Sequence, residues 1–269
     1  TPDGVLTQER VTNQVGPATY VTTCSKPAVA SRRDLEMVAH YEPPFPADWA
    51  EQIKTRVQAI KALIGDEGIV GLWTVGGPFN YASRLVELET LYALFLTDYD
   101  FYEHLMAYAL RRIQEFAQLV AGAGADVYCV GGNVAGGFLG RRTFDHYVLP
   151  FEAACISAFQ QSGTPVIYHN CGQIMNLVES YKALGARVVE PFSPPPTLGD
   201  AQLDRAINLI RGDYAIVGGV DQVNVLKNGS PTEVRRATEQ TIRAGKRPEQ
   251  RGLFILQSAD FLEYGTPIE

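Results

Sequence analysis

A histidine and a cysteine two residues apart, at the end of an apolar run, are the clearest chemical signal in this chain. The run Pro165-Val166-Ile167-Tyr168 ends in His169-Asn170-Cys171-Gly172. Side chains on an extended strand alternate faces, so His169 and Cys171 point the same way with α-carbons roughly 6.5 to 7 Å apart. An imidazole nitrogen and a thiolate sulfur can then converge on one ion, a zinc-like donor pair. Zinc takes three or four protein ligands, so a third must come from another segment. Glu190 ends the next apolar run and is the first choice, with Asp221, Gln257 and Asp260 behind it. No cysteine follows Cys171, so a sulfur-rich site would require Cys129. The bland alternative is a core histidine beside an inert buried thiol.

The elements that must position this pair form a repeating series. From about residue 68 onward, short runs rich in β-branched and aromatic residues alternate with amphipathic stretches. The runs are Gly68–Val75, Asp126–Val130, Pro165–His169, Arg187–Glu190, Tyr214–Gly218 and Leu253–Gln257, all buried in character, as parallel strands are. Helices are predicted over Asp100–Val120, Thr143–Gln161, Gln173–Leu184, Asp200–Ile210 and Thr232–Ala244. The first has its apolar face on Phe101, Leu105, Ala109, Ile113, Phe116 and Val120. The second has its face on Tyr147, Phe151, Ala154 and Ala158. Ser230-Pro231-Thr232-Glu233 is a helix start with Ser230 as N-cap. Gly124, Gly163 and Gly185 each close a helix before the next strand.

Repeated β-α units with short loops predict a parallel sheet with right-handed crossovers. A doubly wound sheet is the competitor, but no G-x-G-x-x-G fingerprint follows any strand. The α/β fold expected is a (β/α)8 TIM barrel lacking its first strand or strands in this chain, since only about six are visible. Residues 1–67 read differently, as a hairpin of Gly4–Val11 and Ala18–Thr23 turning at Asn13–Pro17, then a Pro-rich connector and a helix over Asp48–Leu63. Two parts are therefore expected, 1–67 and a barrel portion over 68–269. Thr1-Pro2-Asp3-Gly4 reads as neither an initiator nor a signal peptide, which points to a start inside a longer protein.

Bulk composition narrows the function classes. The chain has 269 residues, 46% hydrophobic and 20% charged, with a net charge of -7. That suffices for a sizeable core. The acidity, and basic pairs scattered singly, argue against nucleic-acid or anionic-membrane binding. No apolar run reaches the roughly 18 to 20 residues of a membrane span. The four cysteines are too dispersed for a disulfide framework, so a reducing, cytoplasmic setting is the default.

In a barrel, chemistry collects where strands end. Those ends carry Gly76-Gly77-Pro78-Phe79-Asn80-Tyr81, Gly131-Gly132-Asn133, His169-x-Cys171, Glu190-Pro191, Gly218-Gly219-Val220-Asp221 and Gln257-Ser258-Ala259-Asp260. Phe79, Tyr168 and Gln257 are candidates to bind substrate, and Tyr81, Asn133 and Asp221 to orient it. Each has a structural alternative: Phe79 as core, Asn133 as a loop cap, Asp221 as the cap of the following helix. His40, His104 and His146 have no ligand partners nearby and read as structural.

Taken in order, several segments resemble the uroporphyrinogen decarboxylase superfamily, which includes zinc-dependent corrinoid methyltransferases. They are Gly76–Phe79, Gly124–Val127, Pro150 before a long helix, Val166–Gly172, Gly218–Asp221, Gly229–Val234, and Gly252–Leu256 leading to Thr266-Pro267. The resemblance implies a (β/α)8 barrel. The methyltransferase branch is the more similar, because its zinc ligands fall at His169 and Cys171. Its second cysteine, after the last strand, is replaced here by Ser258 or Ala259, which leaves Glu190 to complete an altered metal site. The true decarboxylases carry an N-terminal arginine-rich segment and an aspartate at the first strand, neither of which is found here. What the resemblance implies is methyl transfer between a small methylated or thiol substrate and a corrinoid (methylcobalamin) on a partner protein, assisted by zinc; a homodimer is also allowed. The alternatives are a cofactor-free decarboxylase, which would need basic residues such as Arg84 and Arg141 facing the pocket, and a non-catalytic binding member.

Overall fold

The computed structural model describes residues 1–16, 19–132, 137–196, 199–250 and 252–268. A hairpin of β1 (Glu9–Gly16) and β2 (Thr19–Lys26) leads into α1 (Arg32–Tyr41) and α2 (Trp49–Ile64). Then follow β3 (Gly71–Trp73), α3 (Pro78–Ala82), α4 (Leu88–Thr97), α5 (Tyr99–Val120), β4 (Val127–Gly131) and α6 (Arg141–Thr143). A π-turn over Phe144–Val148 runs into α7 (Leu149–Gln160), followed by β5 (Val166–His169) and β6 (Val188–Phe192). The chain ends through α8 (Leu203–Ile210), β7 (Ala215–Val220), a π-turn over Gln222–Lys227, α9 (Pro231–Gly245) and β8 (Phe254–Ser258).

Strands β3 to β8 form one parallel sheet in sequence order. A doubly wound sheet reverses direction at a switch point; here every spatial neighbour is the neighbour in sequence, which is barrel order. Six strands make an incomplete (β/α)8 barrel with β3 and β8 as its edges. The alternation along each strand separates two faces. Tyr128, Val130, Val166, Tyr168, Val189 and Ile216 are buried in the core with the helix layer. On the opposite, inner face, Trp73, Cys129, Ile167, Val188 and Ala215 stand in ladder register. Trp73, on edge strand β3, is 57% exposed. No helix among the described residues is long and apolar enough to cross a membrane.

Long helix α5 buries the expected stripe, Phe101, Leu105, Ala109, Ile113, Phe116 and Val120. Its start is fixed by Asp98, whose Oδ1 accepts the Phe101 N–H at 3.1 Å. Ser230 and Glu233 form a reciprocal capping box on α9, with Pro231 in its first turn, as the tetrapeptide predicts. Gly124, Gly163 and Gly185 have φ of 77°, 80° and 79°, the left-handed conformation that ends a helical turn.

Three expectations are corrected. The hairpin is shifted along the chain: Asn13 and Gln14 lie inside β1, opposite Val21 and Tyr20. β1 runs on to Gly16, and Thr12 and Thr22 join hydroxyls across the ladder at 2.8 Å. Residues 173–184 are turns ending in a 3-10 segment over Ser180–Leu184 rather than an α-helix. Asp200 Oδ1 accepts the N–H groups of Ile174 and Met175 at 2.7 and 3.1 Å, and Ile174, Leu177, Val178 and Tyr181 are buried as expected. On α7 the fully buried stripe is Glu152, Cys155, Ile156 and Phe159. The expected stripe of Phe151, Ala154 and Ala158 is only half-buried beside it.

Candidate functional site at the strand ends

His169 ends β5 on the inner face, and Glu190 stands opposite it in the β5–β6 ladder. Parallel strands in register bring these two side chains together although 21 residues separate them. His169 Nδ1 lies 3.2 Å from Glu190 Oε1, and the two side chains are 14% and 11% exposed. Cys171, two residues beyond, is a half-buried free thiol whose proximity raises the pKa of the same imidazole. The His169 ring meets Trp73 edge-on, with centroids 5.3 Å apart. Burial opposes a charge on His169, but Cys171 and Glu190 outweigh burial and lift its pKa to about 9. A divalent cation would compete with that proton for the ring.

Imidazole, thiolate and carboxylate are the donor types that zinc takes. Two ligands of one tetrahedral zinc, each bonded at about 2.05 Å, stand roughly 3.3 Å apart. The 3.2 Å between Nδ1 and Oε1 fits that spacing as well as a hydrogen bond. Only the His169–Glu190 pair is in contact; among the described residues no group of three or more His, Cys, Asp or Glu side chains is placed to hold a metal ion. At the position of the missing second cysteine, Ser258 Oγ donates to the Asp260 carbonyl at 2.6 Å, and Ala259 is buried. Cys129 lies one layer deeper on the same face; burial, and then the Glu190 charge, push its thiol up to about 12.

The other expected site residues are not gathered here. Tyr168 points into the helix layer, buried against Tyr181 at 5.7 Å between centroids. Strand alternation puts it on the face opposite His169, which corrects its expected place as a pocket wall. Phe79 is 1% exposed in the core, 5.6 Å from the Tyr92 ring, so it too is packing. The Tyr81 hydroxyl donates to Glu42 Oε1 at 3.3 Å. Glu42 also accepts from Tyr108 and lies 2.8 Å from Arg112 Nε, so Tyr81 ties the connector to α3 while Tyr108 and Arg112 tie it to α5. Asp221 caps the π-turn, with Oδ1 accepting Val223 and Asn224 N–H groups at 2.8 Å. Gln257 is exposed on edge strand β8, opposite Gly219. Asn133 lies outside the described residues.

Two residues that sequence reading passes over are prominent in the structure. Trp73 shares the inner face with His169, and nothing in a three-residue strand announces that. Glu152 sits in the buried stripe of α7 with its carboxylate against Gly77, where an added methyl would be 2.2 Å from Oε2. Its signal was legible: an acidic residue at helical spacing with Cys155, Ile156 and Phe159.

Glycines let the backbones at these strand ends approach closely. The Gly77 N–H donates to the Gly131 carbonyl and the Gly132 N–H to the His169 carbonyl, each at 2.9 Å. The loop after β3, the end of β4 and His169 are thus fastened in series.

Comparison with known proteins agrees with this architecture. The family model described as uroporphyrinogen decarboxylase (URO-D) matches residues 16–269. Two curated relatives come from Methanosarcina mazei. A methylated-thiol–coenzyme M methyltransferase is 23% identical over 193 residues, covering 71% of this chain and 48% of its own length. The methylcobamide:CoM methyltransferase MtbA is 23% identical over 228 residues, covering 82% of this chain and 62% of its own length. The chain therefore spans about half to three-fifths of the relatives it matches. A solved methyltransferase from Methanosarcina mazei superposes with a TM-score of 0.75 at 16% identity, covering 96% of this chain and 71% of that one. With the family model spanning nearly the whole chain over a sheet in barrel order, this protein belongs to the uroporphyrinogen decarboxylase (URO-D) family.

Proposed function

We propose that this chain forms most of the barrel of a corrinoid-dependent methyltransferase. The enzyme moves a methyl group between a small methylated or thiol-bearing substrate and a corrinoid carried by a partner protein. The observation that carries the reading is the His169–Glu190 pair across the β5–β6 ladder, with the Cys171 thiol two residues beyond. The relatives' names, which specify a methylated thiol and a methylcobamide, support it. His169, Cys171 and Glu190 would hold zinc. A zinc ion in that place acts as a Lewis acid that keeps a substrate thiol ionised at neutral pH or polarises a methyl-bearing leaving group.

The chain's own residues do the remaining work. Trp73 packs edge-on against the imidazole and limits its rotation. Cys129 stays a neutral thiol below the site and does not compete as a donor.

The test is elemental analysis of protein purified without chelator. About one zinc per chain is expected, falling sharply in His169→Ala and Cys171→Ser. Wild-type protein without metal would overturn the metal reading. One observation favours a non-catalytic binding member instead: the place of the second cysteine is taken by Ser258, already bonded to Asp260. A cofactor-free decarboxylase is less well supported, because Arg84 is bonded to Asn80 and Arg141 to Glu179.

A further inference from the structure

Glu152 is 2% exposed on α7, and no cation among the described residues pairs with it. Its Oε1 accepts the Phe79 N–H at 3.2 Å. Its Oε2 is buried and meets no hydrogen-bond partner among the described residues. Both oxygens press on Gly77, where an added methyl would stand 2.2 Å and 2.6 Å from them. We propose that Glu152 is a positioning residue for the Gly76–Phe79 loop, holding that loop down at the mouth of the site while protonated and releasing it when ionised.

The surroundings supply the reason. Tyr102 on α5, Cys155 on α7 itself and Tyr168 on β5 are the titratable groups in electrostatic contact with Glu152. Burial raises the pKa of all three, so they are neutral and offer no countercharge. From α3, Tyr81 turns to Glu42. From the π-turn, Tyr147 stacks on Phe95. From β4, the Tyr128 hydroxyl goes to the Val120 carbonyl, and Cys129 lies on the other face of the sheet. From the 3-10 segment, Tyr181 accepts from Asn170, and Lys182 pairs with Asp213.

A neutral carboxyl keeps the Phe79 bond with little desolvation penalty, whereas a buried carboxylate without a cation is costly. Burial raises the Glu152 pKa to about 7 against the lowering pull of the Phe79 N–H, so the two forms exchange in the physiological range. Gly77, itself buried, packs against the second oxygen. Because Gly77 is fastened to Gly131, and Gly132 to His169, lifting the loop loosens the support behind the candidate site. The inference stands whether or not His169 and Cys171 carry a metal.

Hydrogen–deuterium exchange of the intact chain tests it, with rates corrected for the intrinsic pH dependence of exchange. Between pH 6 and pH 8.5, protection of the segment 76–82 should fall at least about tenfold, while α5 keeps its protection. In Glu152→Gln, which keeps the shape and the acceptor without the charge, protection should change by less than about threefold. Unchanged wild-type protection across that range would overturn the proposal without recourse to the variant. An equal fall in Glu152→Gln, or a parallel fall in α5, would overturn it as well.

Discussion

Replacing Gly131 with alanine should damage the fold and the candidate site together. An added methyl at Gly131 would stand 2.1 Å from the His169 carbonyl oxygen and 3.0 Å from its carbonyl carbon and nitrogen. All three are backbone atoms, held by the Gly131–His169 ladder position and by the Gly132 N–H bond to the same carbonyl. No side chain can turn aside to make room. The φ of Gly131 is 121°, a conformation that alanine reaches only with strain. Overpacking typically costs about 1–3 kcal/mol, and a strained backbone conformation costs about the same again. A loss of about 3 kcal/mol or more is therefore expected, a large share of the 5–15 kcal/mol typical of native proteins. Urea denaturation followed by far-UV circular dichroism measures it. Gly122→Ala is the control, because a methyl there meets nothing within 4 Å, and its change should stay within about 0.5 kcal/mol. A Gly131→Ala protein within 1 kcal/mol of wild type would refute the view that β4 and β5 touch through this glycine.

Two further variants separate structural from chemical roles. Tyr81→Phe removes one of several bonds to Glu42 and should cost about 1 kcal/mol of stability, with methyl-transfer kcat/KM changed less than about threefold; a hundredfold loss would return the Tyr81 hydroxyl to the chemistry. Glu152→Gln should alter the pH dependence of stability. The folded-state pKa of Glu152 is raised from 4.5 to about 7, so its stabilising contribution is complete below about pH 4.5 and is lost as pH rises through about 7. Wild type should lose up to about 3 kcal/mol relative to the variant over that window, and urea titrations showing a constant difference from pH 4.5 to 8 would count against it.

The six strands and α5 were legible because their patterns are local. A buried parallel strand must be apolar on both faces, and a helix on a sheet must repeat its apolar residues every three or four positions. The 173–184 segment misled. Its apolar spacing is helical and its apolar residues are buried, yet the backbone runs through turns into a 3-10 segment, so the same spacing served a different backbone. On α7 two neighbouring stripes were both apolar enough to face the core, and only the sheet beneath decides between them. The barrel assignment needed both levels: the β-α alternation indicated a parallel sheet, and the strand order excluded the doubly wound alternative.

By itself the sequence placed His169 at the end of a strand, because an apolar run of β-branched residues is a local pattern, and it marked Cys171 two residues beyond. It also pointed to Glu190, at the end of the following run. The tertiary structure decided what surrounds the pair. Ladder register set Glu190 opposite His169, and the inner face brought Trp73 to the ring. Strand alternation sent Tyr168 to the other side, and tertiary contacts engaged Tyr81 with Glu42. The physical reason is that a residue's type and local period fix its direction within one element, whereas its neighbours depend on how separate elements align.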